Sequence, residues 1–221
     1  MDALAWADEA LKKLQIEFGE RLCFVGIQGS RARGEAHKNS DIDLVVLLNN
    51  VNANDLTRYR SIIKTMPHSE LACGFIGSAQ VLTSWPRHEL FQFCHDTHAL
   101  FGALPEIKPF TKDDALEASR IGASGIYHAA CHAYVFDNDT IDNILKELFK
   151  STFFTLQALQ FARTGIYPRT KTELADQLEG IDADVFNICC NWEETKPRED
   201  TDRHNLVDLL LRWSESIIKT K

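Results

Sequence analysis

The sequence lacks the features that mark several classes of protein. It has no cluster of Lys and Arg, and its net charge of −8 argues against a protein that binds nucleic-acid phosphates. No apolar run approaches the length of a transmembrane helix, and the N-terminal segment MDALAWADEALKKL has no basic start of a signal peptide. The six cysteines include no C-x-x-C pair, which is typical of reduced thiols in a cytoplasmic protein. These absences predict a soluble, cytoplasmic protein.

The apolar pattern predicts two different halves. With 44% hydrophobic and 25% charged residues, a chain of 221 residues can bury a substantial core. Apolar runs separated by helical patterns predict strands over 22–27, 41–48 and 71–76 and helices over 3–18, 30–36, 54–66 and 86–95. After the two prolines of GALPEIKPF at 102–110, only helices are predicted, over 113–136, 140–164, 172–180 and 203–219. We therefore expect an α+β (or α/β) fold, with a mixed-sheet head at residues 1–105 and an all-helical bundle at residues 106–221.

The stretch GSRARGEAHKNSDIDLVVLL at residues 29–48 carries the chemistry. Asp41 and Asp43 open a predicted strand two residues apart, so their carboxylates lie on the same face and repel each other. A divalent cation removes that repulsion, and Mg²⁺ typically binds one or two carboxylates together with substrate phosphates. Just upstream, Gly29 lets the backbone approach a phosphate and Ser30 adds a hydroxyl group. The stretch therefore predicts a phosphate-binding turn that faces a metal-binding pair.

The same residues resemble a known signature. Gly29-Ser30, Arg33-Gly34 and Ser40-Asp41-Ile42-Asp43 are similar to the G-S-x-x-x-G…S-D-x-D motif of the polymerase-β-like nucleotidyltransferases. This resemblance implies one or two Mg²⁺ ions on Asp41 and Asp43, with ATP or another NTP as co-substrate. It also implies nucleotide binding by the turn residues and by Arg33 and Ser40. The competing interpretation is a capping Ser40 followed by two solvent-facing aspartates.

Two further segments resemble the aminoglycoside adenylyltransferases of the streptomycin/spectinomycin type. Glu70 precedes the third predicted strand, and SWPRHELFQF follows at residues 84–93. The resemblance implies that Glu70 is the catalytic base for an acceptor hydroxyl, whereas the alternative is an inert glutamate at a strand edge. LQFARTGIYPRTKTELADQL at residues 159–178 resembles a segment of the C-terminal bundles, which implies that Lys171 reaches the β- and γ-phosphates. A surface lysine in the first turn of a helix explains the same residue equally well.

These features predict the transfer of a nucleoside monophosphate to a hydroxyl-bearing small molecule, with the bundle as the substrate-binding domain. Antibiotic resistance is one role that the resemblance suggests. The second hypothesis is a protein AMP-transferase of the antitoxin type acting on a helical partner, and the third is an inactive nucleotide-binding module. His128 and His132 share a helix face but have no further ligand pattern, so they do not predict a metal site.

Overall fold

The computed structural model describes residues 2–137 and 140–220. Contact density divides the chain into two compact units, and each is described by itself. Unit 1 comprises Met1–Pro86 and Phe93–Pro109, and unit 2 comprises Arg87–Gln92 and Phe110–Lys221. The α+β class, with a mixed sheet followed by helices, is confirmed. The domain division at residues 105 and 106 stays a prediction.

Unit 1 is built on a four-stranded sheet in the order β3-β2-β1-β4. Strand β1 pairs antiparallel with β2 and with β4, whereas β2 pairs parallel with β3. The strands are β1 (Leu22–Gln28), β2 (Ile42–Leu48), β3 (Ala72–Ser78) and β4 (His98–Gly102). The helices that accompany them are α1 (Ala3–Phe18), α2 (Gly29–Ala32), α3 (Ala53–Lys64), α4 (Ala79–Leu82) and α5 (Arg87–Asp96), the last of which is divided between the units.

Helices α1 and α3 form a core with one face of this sheet. The even-numbered apolar side chains of β2 are buried there against Trp6, Ala10 and Leu14 of α1. Asp2 caps the N-terminus of helix α1, and its carboxylate accepts a hydrogen bond from the Leu4 N–H at 3.0 Å. Asn52 caps helix α3 in a capping box with Asp55, so this helix begins at Ala53, one residue before the predicted start.

The opposite face carries an aromatic cluster. The rings of Phe75, Trp85 and Phe93 meet edge to face, with centroids 5.2–5.8 Å apart. The odd-numbered residues of β2, which include Asp43, lie on this face because side chains alternate along a strand. The sheet thus has a closed face under α1 and α3 and a second face that carries the polar end of β2.

The described part of unit 2 contains helices and connecting loops but no strand. Its main elements pack around a core that contains Phe149, Phe153 and the fully buried Trp213. The Trp213 Nε1–H donates to Asp182 Oδ1 at 2.9 Å, so the indole is satisfied in the core. The helices are α6 (Lys112–Phe136), α7 (Ile141–Thr164), α8 (Lys171–Ala175), α9 (Gly180–Cys190), α10 (Trp192–Thr195) and α11 (Asp200–Ile218).

Several predicted elements differ from the observed ones. Strand β4 was not predicted, because HALFG is too short to show alternation and its pairing with the distant β1 defines it. Helix α10 was not predicted, and α11 begins at Asp200, three residues before the predicted start at 203. The expected helix over 172–180 ends at Ala175, and the next helix begins at Gly180. Within residues 2–137 and 140–220, no helix combines the length and apolar character needed to cross a bilayer.

Candidate functional site

The turn between β1 and α2 brings the backbone against a carboxylate. Gly29 has φ +73°, a conformation that favours glycine, and a Cβ built on it would overlap Asp43 Oδ2. The register explains this proximity, because Gln28 at the end of β1 pairs with Asp43 at the start of β2. Gly29 is therefore required here both by its backbone conformation and by the space that the Asp43 carboxylate occupies.

Ser30 follows in this turn with an available hydroxyl group. Its carbonyl accepts a hydrogen bond from the Glu35 N–H at 2.8 Å, which closes the turn. Within the described parts of the chain, the half-buried Ser30 hydroxyl has no hydrogen-bond partner of its own. A ligand phosphate that reached this turn would find an unused donor.

The loop before β2 is held in place by Arg31 and Ser40. The Arg31 guanidinium donates to the Ser40 carbonyl from both Nε and Nη2, at 3.1 and 2.6 Å, and to the Asp41 carbonyl at 2.9 Å. The Ser40 Oγ accepts from the His37 N–H at 2.8 Å, which closes a short turn over residues 37–40. Ser40 and Arg31 thus fix the path of the chain that carries Asp41.

The two aspartates offer oxygen ligands to a cation. Asp41 is exposed, and no hydrogen bond or ion pair to its carboxylate occurs in the part of the chain that the structure describes. Asp43 lies two residues on, half-buried in β2, and therefore on the same side of the extended chain. These groups fit a hard divalent cation that takes its remaining ligands from phosphate and water. The described residues bring no group of three or more His, Cys, Asp or Glu side chains together as a protein-only metal site.

A network of charged side chains fixes the position of the Gly29 turn. The Gly29 N–H donates to Asp96 Oδ2 at 3.0 Å, and the other oxygen of Asp96 binds the Arg33 guanidinium. Arg33 also donates from Nε to Glu35 at 3.0 Å, and the Arg33 and Asp96 side chains are each only 11% exposed. Burial alone would lower the pKa of Arg33, but Asp96 and Glu35 outweigh it and raise that pKa. The network holds a permanent positive charge and fixes the position of Gly29.

Glu70, the predicted base, lies outside the neighbouring strand. It occupies a short 3₁₀ turn before β3, and its side chain is 70% exposed and 3.5 Å from His68 Nδ1. The β3 residue that pairs with Asp43 is instead Cys73, which is exposed. The catalytic role of Glu70 stays a prediction.

Lys171, the predicted phosphate ligand in the bundle, begins helix α8 of unit 2. It lines a cavity of ≈ 460 Å³ together with Phe186, Asn187 and Cys190. A hydrogen bond with the Cys190 thiol and burial raise the pKa of Cys189. The positive charge of Lys171 acts in the opposite direction and lowers that pKa. Its contact with a phosphate stays a prediction.

Sequence reasoning did not identify Gln28 and Cys73 as the neighbours of Asp43. Both lie beside it only through strand pairing, and no local motif marks either of them. The Gln28 amide donates to Thr97 Oγ1 at 2.6 Å and to the Phe93 carbonyl at 3.1 Å. The signal that could have found them is the strand register, which the turn motif and the apolar alternation partly determine.

Comparison with known proteins agrees with this geometry. Residues 8–71 match the family model described as "Nucleotidyltransferase domain". No curated protein matches the sequence. Among solved structures, the chain is similar to spectinomycin adenyltransferase AAD(9) from Enterococcus faecialis, determined with ATP and spectinomycin. The identity is 15%, with coverage of 98% of this chain and 99% of that chain and a TM-score of 0.59.

A second solved structure, a toxin-antitoxin with AMP-PNP, is 19% identical over 61% of this chain and 98% of that chain, with a TM-score of 0.33. The motif-based prediction of a polymerase-β-like nucleotidyltransferase enzyme that resembles the aminoglycoside adenylyltransferases is confirmed. Residues 8–71 of this chain are thus similar to a nucleotidyltransferase domain, and the fold over 98% of the chain is similar to that of a spectinomycin adenyltransferase.

Proposed function

We propose that the protein transfers AMP from ATP to a hydroxyl group of a small molecule and releases pyrophosphate. The observation that carries the proposal is the packing of the Gly29 turn against the Asp43 carboxylate. This arrangement joins a turn suited to phosphate and a carboxylate suited to a cation in one place. A structural loop would gain nothing from an unpartnered Asp41 beside that carboxylate, because two adjacent negative charges destabilise each other.

Asp41 and Asp43 are the residues that would hold one or two Mg²⁺ ions. When bound, the metal neutralises charge on the triphosphate and on the departing pyrophosphate. In the turn, Gly29 lets the backbone approach the phosphates while its own N–H remains bonded to Asp96, and Ser30 offers its hydroxyl group. Ser40 positions the metal-binding loop. Arg33 holds the turn through Asp96 and adds a positive charge near the phosphates, and direct contact with a phosphate stays a prediction.

In this reaction the acceptor oxygen attacks the α-phosphorus, and the bond from that phosphorus to the bridging oxygen breaks. Pyrophosphate carries the electron pair away, and the acceptor proton passes to a base. Glu70 is the proposed base, and its exposure keeps its carboxylate accessible to an acceptor. The pairing of β2 with β3 suggests an alternative to Glu70 as the base. Cys73, which pairs with Asp43, would then border the acceptor, and water would take the proton.

A matched pair of substitutions distinguishes these two arrangements. With Glu70 as the base, Glu70→Gln lowers kcat by about 10²–10⁴-fold and leaves the Kd of Mg·ATP unchanged. Cys73→Ser, a conservative change three residues further along the chain, should then leave kcat within a few-fold of the wild type. The opposite pattern, with an active Glu70→Gln variant and an impaired Cys73→Ser variant, would remove Glu70 from the mechanism.

The acceptor is proposed to be cationic and rich in hydroxyl groups. The net charge of −8 favours a positively charged ligand. The structure that is similar over 98% of this chain is that of a spectinomycin adenyltransferase determined with ATP and spectinomycin. Aminoglycosides and related antibiotics are therefore the first acceptors to test, and resistance is the corresponding biological proposal.

The deciding experiment is Mg²⁺-dependent pyrophosphate release from ATP across a panel of aminoglycosides, lincosamides and other hydroxylated molecules. We expect release with at least one acceptor and a loss of about 100-fold or more in Asp43→Asn, which removes a charged ligand from the site. Asp208→Asn, an exposed aspartate paired with Arg212 on α11, is the matched control and should retain activity. Undiminished release by Asp43→Asn would disprove the proposed site.

Binding measurements cover the remaining outcomes. If Mg·ATP binds but no small molecule supports release, transfer of AMP to a protein is the next hypothesis, tested with labelled ATP and candidate helical partners. Binding without any transfer would indicate a nucleotide-binding module. Lys171→Ala tests the bundle's contribution, since contact with the β- and γ-phosphates predicts weaker Mg·ATP binding in that variant.

A further inference from the structure

Two adjacent cysteines end helix α9 at the side of a cavity in unit 2. Cys190 is exposed and lines this cavity, whereas Cys189 beside it is half-buried. The cavity measures ≈ 460 Å³, within the range of about 300–1,000 Å³ that is typical of small-molecule sites. Lys171 lines the same cavity. A sulfur nucleophile and a positive charge therefore border one open space.

The two thiols differ in their readiness to ionise. Cys189 keeps its proton, because its hydrogen bond with Cys190, its burial and the charge of a Cys190 thiolate all raise its pKa. Its S–H group therefore stabilises negative charge on the Cys190 sulfur. Cys190 lies at the C-terminal end of α9, where the helix dipole opposes that charge, and the positive charge of Lys171 compensates for it. Cys190 is thus the accessible thiol of the pair and the one that can act as a thiolate.

We propose that Cys190 is a modification site for small disulfides that carry carboxylate groups, such as oxidised glutathione. The Cys190 thiolate attacks one sulfur of the disulfide, a new S–S bond forms and the original S–S bond breaks. The other half leaves as a thiolate and takes up a proton from water. The disulfide is itself the oxidant, so the step needs no further co-reactant.

The cavity offers partners to each part of such a group. The Lys171 ammonium can pair with a carboxylate, and Asn187 and Asn191 place side-chain amides at the same cavity. Leu178 and Phe186 add apolar surface for the methylene groups next to the sulfur. The adduct would therefore be held by contacts beyond the S–S bond.

The mixed disulfide should persist, because Cys189 is badly placed to displace it. Adjacent Cα atoms are about 3.8 Å apart across a trans peptide bond. The Cα atoms of a disulfide are usually about 4.4–6.8 Å apart, so a bond between Cys189 and Cys190 would distort the end of α9. We therefore expect a lasting adduct on Cys190 and no disulfide between the two neighbours.

Cys73 provides an internal comparison. It is the other exposed cysteine in the part of the chain that the structure describes. It pairs with Asp43 in the sheet, so a negative charge lies beside it where Cys190 has the positive charge of Lys171. A disulfide that carries carboxylates is repelled at Cys73 and attracted at Cys190. Exposure alone would make the two cysteines equally reactive, whereas charge predicts that Cys190 reacts first.

Incubation of the full-length protein with oxidised glutathione, followed over time by intact-mass and peptide mass spectrometry, tests the proposal. One glutathionyl group should appear first on Cys190. Cys190→Ser should lose this early adduct, and Cys73→Ser, the matched control, should form it like the wild type. An adduct that forms first on Cys73, or an early adduct that remains in Cys190→Ser, would overturn the proposal.

Two further variants test the roles of the neighbours. Lys171→Gln should lower the rate with oxidised glutathione, relative to the rate with the uncharged disulfide of 2-mercaptoethanol, by about fivefold. An unchanged ratio of the two rates would refute the selection of anionic disulfides. Cys189→Ser keeps a hydrogen-bond donor beside Cys190 and should give the same lasting adduct. Release of the adduct from the wild type but not from Cys189→Ser would refute the single-thiol mechanism.

A binding measurement links this site to the nucleotide and rests on the proposed function. The adduct would occupy the cavity beside Lys171, so it should weaken Mg·ATP binding if that lysine contacts the phosphates. Reduction with dithiothreitol should restore the binding, and Cys190→Ser should not respond to oxidised glutathione. Modification of Cys190 with unchanged Mg·ATP binding would support the modification site and remove Lys171 from the nucleotide site. Absence of the adduct would overturn the modification site and leave the proposed function standing.

Discussion

Asp96→Asn gives the sharpest test of how the phosphate turn is positioned. Asp96 lies at the end of α5, 67 residues from Gly29 in sequence, and its Oδ2 accepts the Gly29 N–H at 3.0 Å. Its other oxygen binds Arg33, and both side chains are only 11% exposed. The amide that replaces this carboxylate has a single oxygen, so one of the two donors loses its acceptor and faces an NH₂ group.

The loss of unfolding free energy in Asp96→Asn depends on the burial of the Arg33–Asp96 pair and on the partner that Arg33 keeps. Removing one member of a buried ion pair costs about 3–5 kcal/mol when the other charge is left alone. Here Glu35 still accepts from Arg33 at 3.0 Å, so the loss is closer to that of one charge-assisted hydrogen bond, about 1.5–3 kcal/mol. The Gly29 turn should also loosen, which weakens Mg·ATP binding in the proposed function.

Urea unfolding followed by tryptophan fluorescence measures the first effect, and titration calorimetry with Mg·ATP measures the second. Trp6 and Trp85 belong to the same unit as Asp96 and report its unfolding. Asp208→Asn, in an ion pair whose side chains are 62% and 54% exposed, should cost at most about 1 kcal/mol. If Asp96→Asn is no more destabilising than this control, the network does not hold the turn as argued.

Two other predictions follow from the structure. Gly29→Ala should sharply lower the rate of nucleotidyl transfer in the pyrophosphate assay, because the added Cβ would displace the Asp43 carboxylate. The φ of +73° at this position also costs a non-glycine residue about 1–2 kcal/mol. Full activity of this variant would show that the turn can relax. A hydrogen bond from Arg21 lowers the pKa of Asp55 to about 2, below its usual value of about 3.9. The stability that this pair contributes is therefore complete above about pH 4 and is lost as the pH falls towards 2. Asp55→Asn should flatten the pH dependence of the unfolding free energy in that window, and an unchanged acid transition would contradict the assignment.

The local chemistry of the site could be predicted from the sequence. The Gly-Ser turn, the pair of aspartates and the apolar run of β2 follow one another within twenty residues, and each has its own physical signature. The mixed sheet and the helical second half also follow from periodicity and from the two prolines near residue 105. All these signals are local in the sequence, because each can be recognised without knowing which strands pair.

The long-range neighbours could not be predicted in the same way. Cys73 faces Asp43 because β3 pairs parallel with β2 in one register, and a shift of two residues would bring Leu71 there instead. Glu70 attracted attention as an acidic residue before a strand, but the chain enters β3 through a 3₁₀ turn that leaves it exposed. Asp96 lies at the end of α5, and the chain forms β2, α3, β3 and α4 between the Gly29 turn and that helix. Sequence patterns give element types, whereas tertiary pairing decides which side chains meet.

The register between β1 and β2 is what converts the motif into a site. Gln28 pairs with Asp43, so the residue that follows Gln28 necessarily lies beside that carboxylate. A slip of one residue would turn Leu44 and Val46 towards the opposite face and bury the aspartate under α1 and α3, where a carboxylate without a partner is strongly unfavourable. The same alternation of apolar and acidic residues that marks the metal-binding pair therefore also excludes the wrong register. For this reason the pattern of β2 specifies both its place in the sheet and the position of its carboxylate at the phosphate turn.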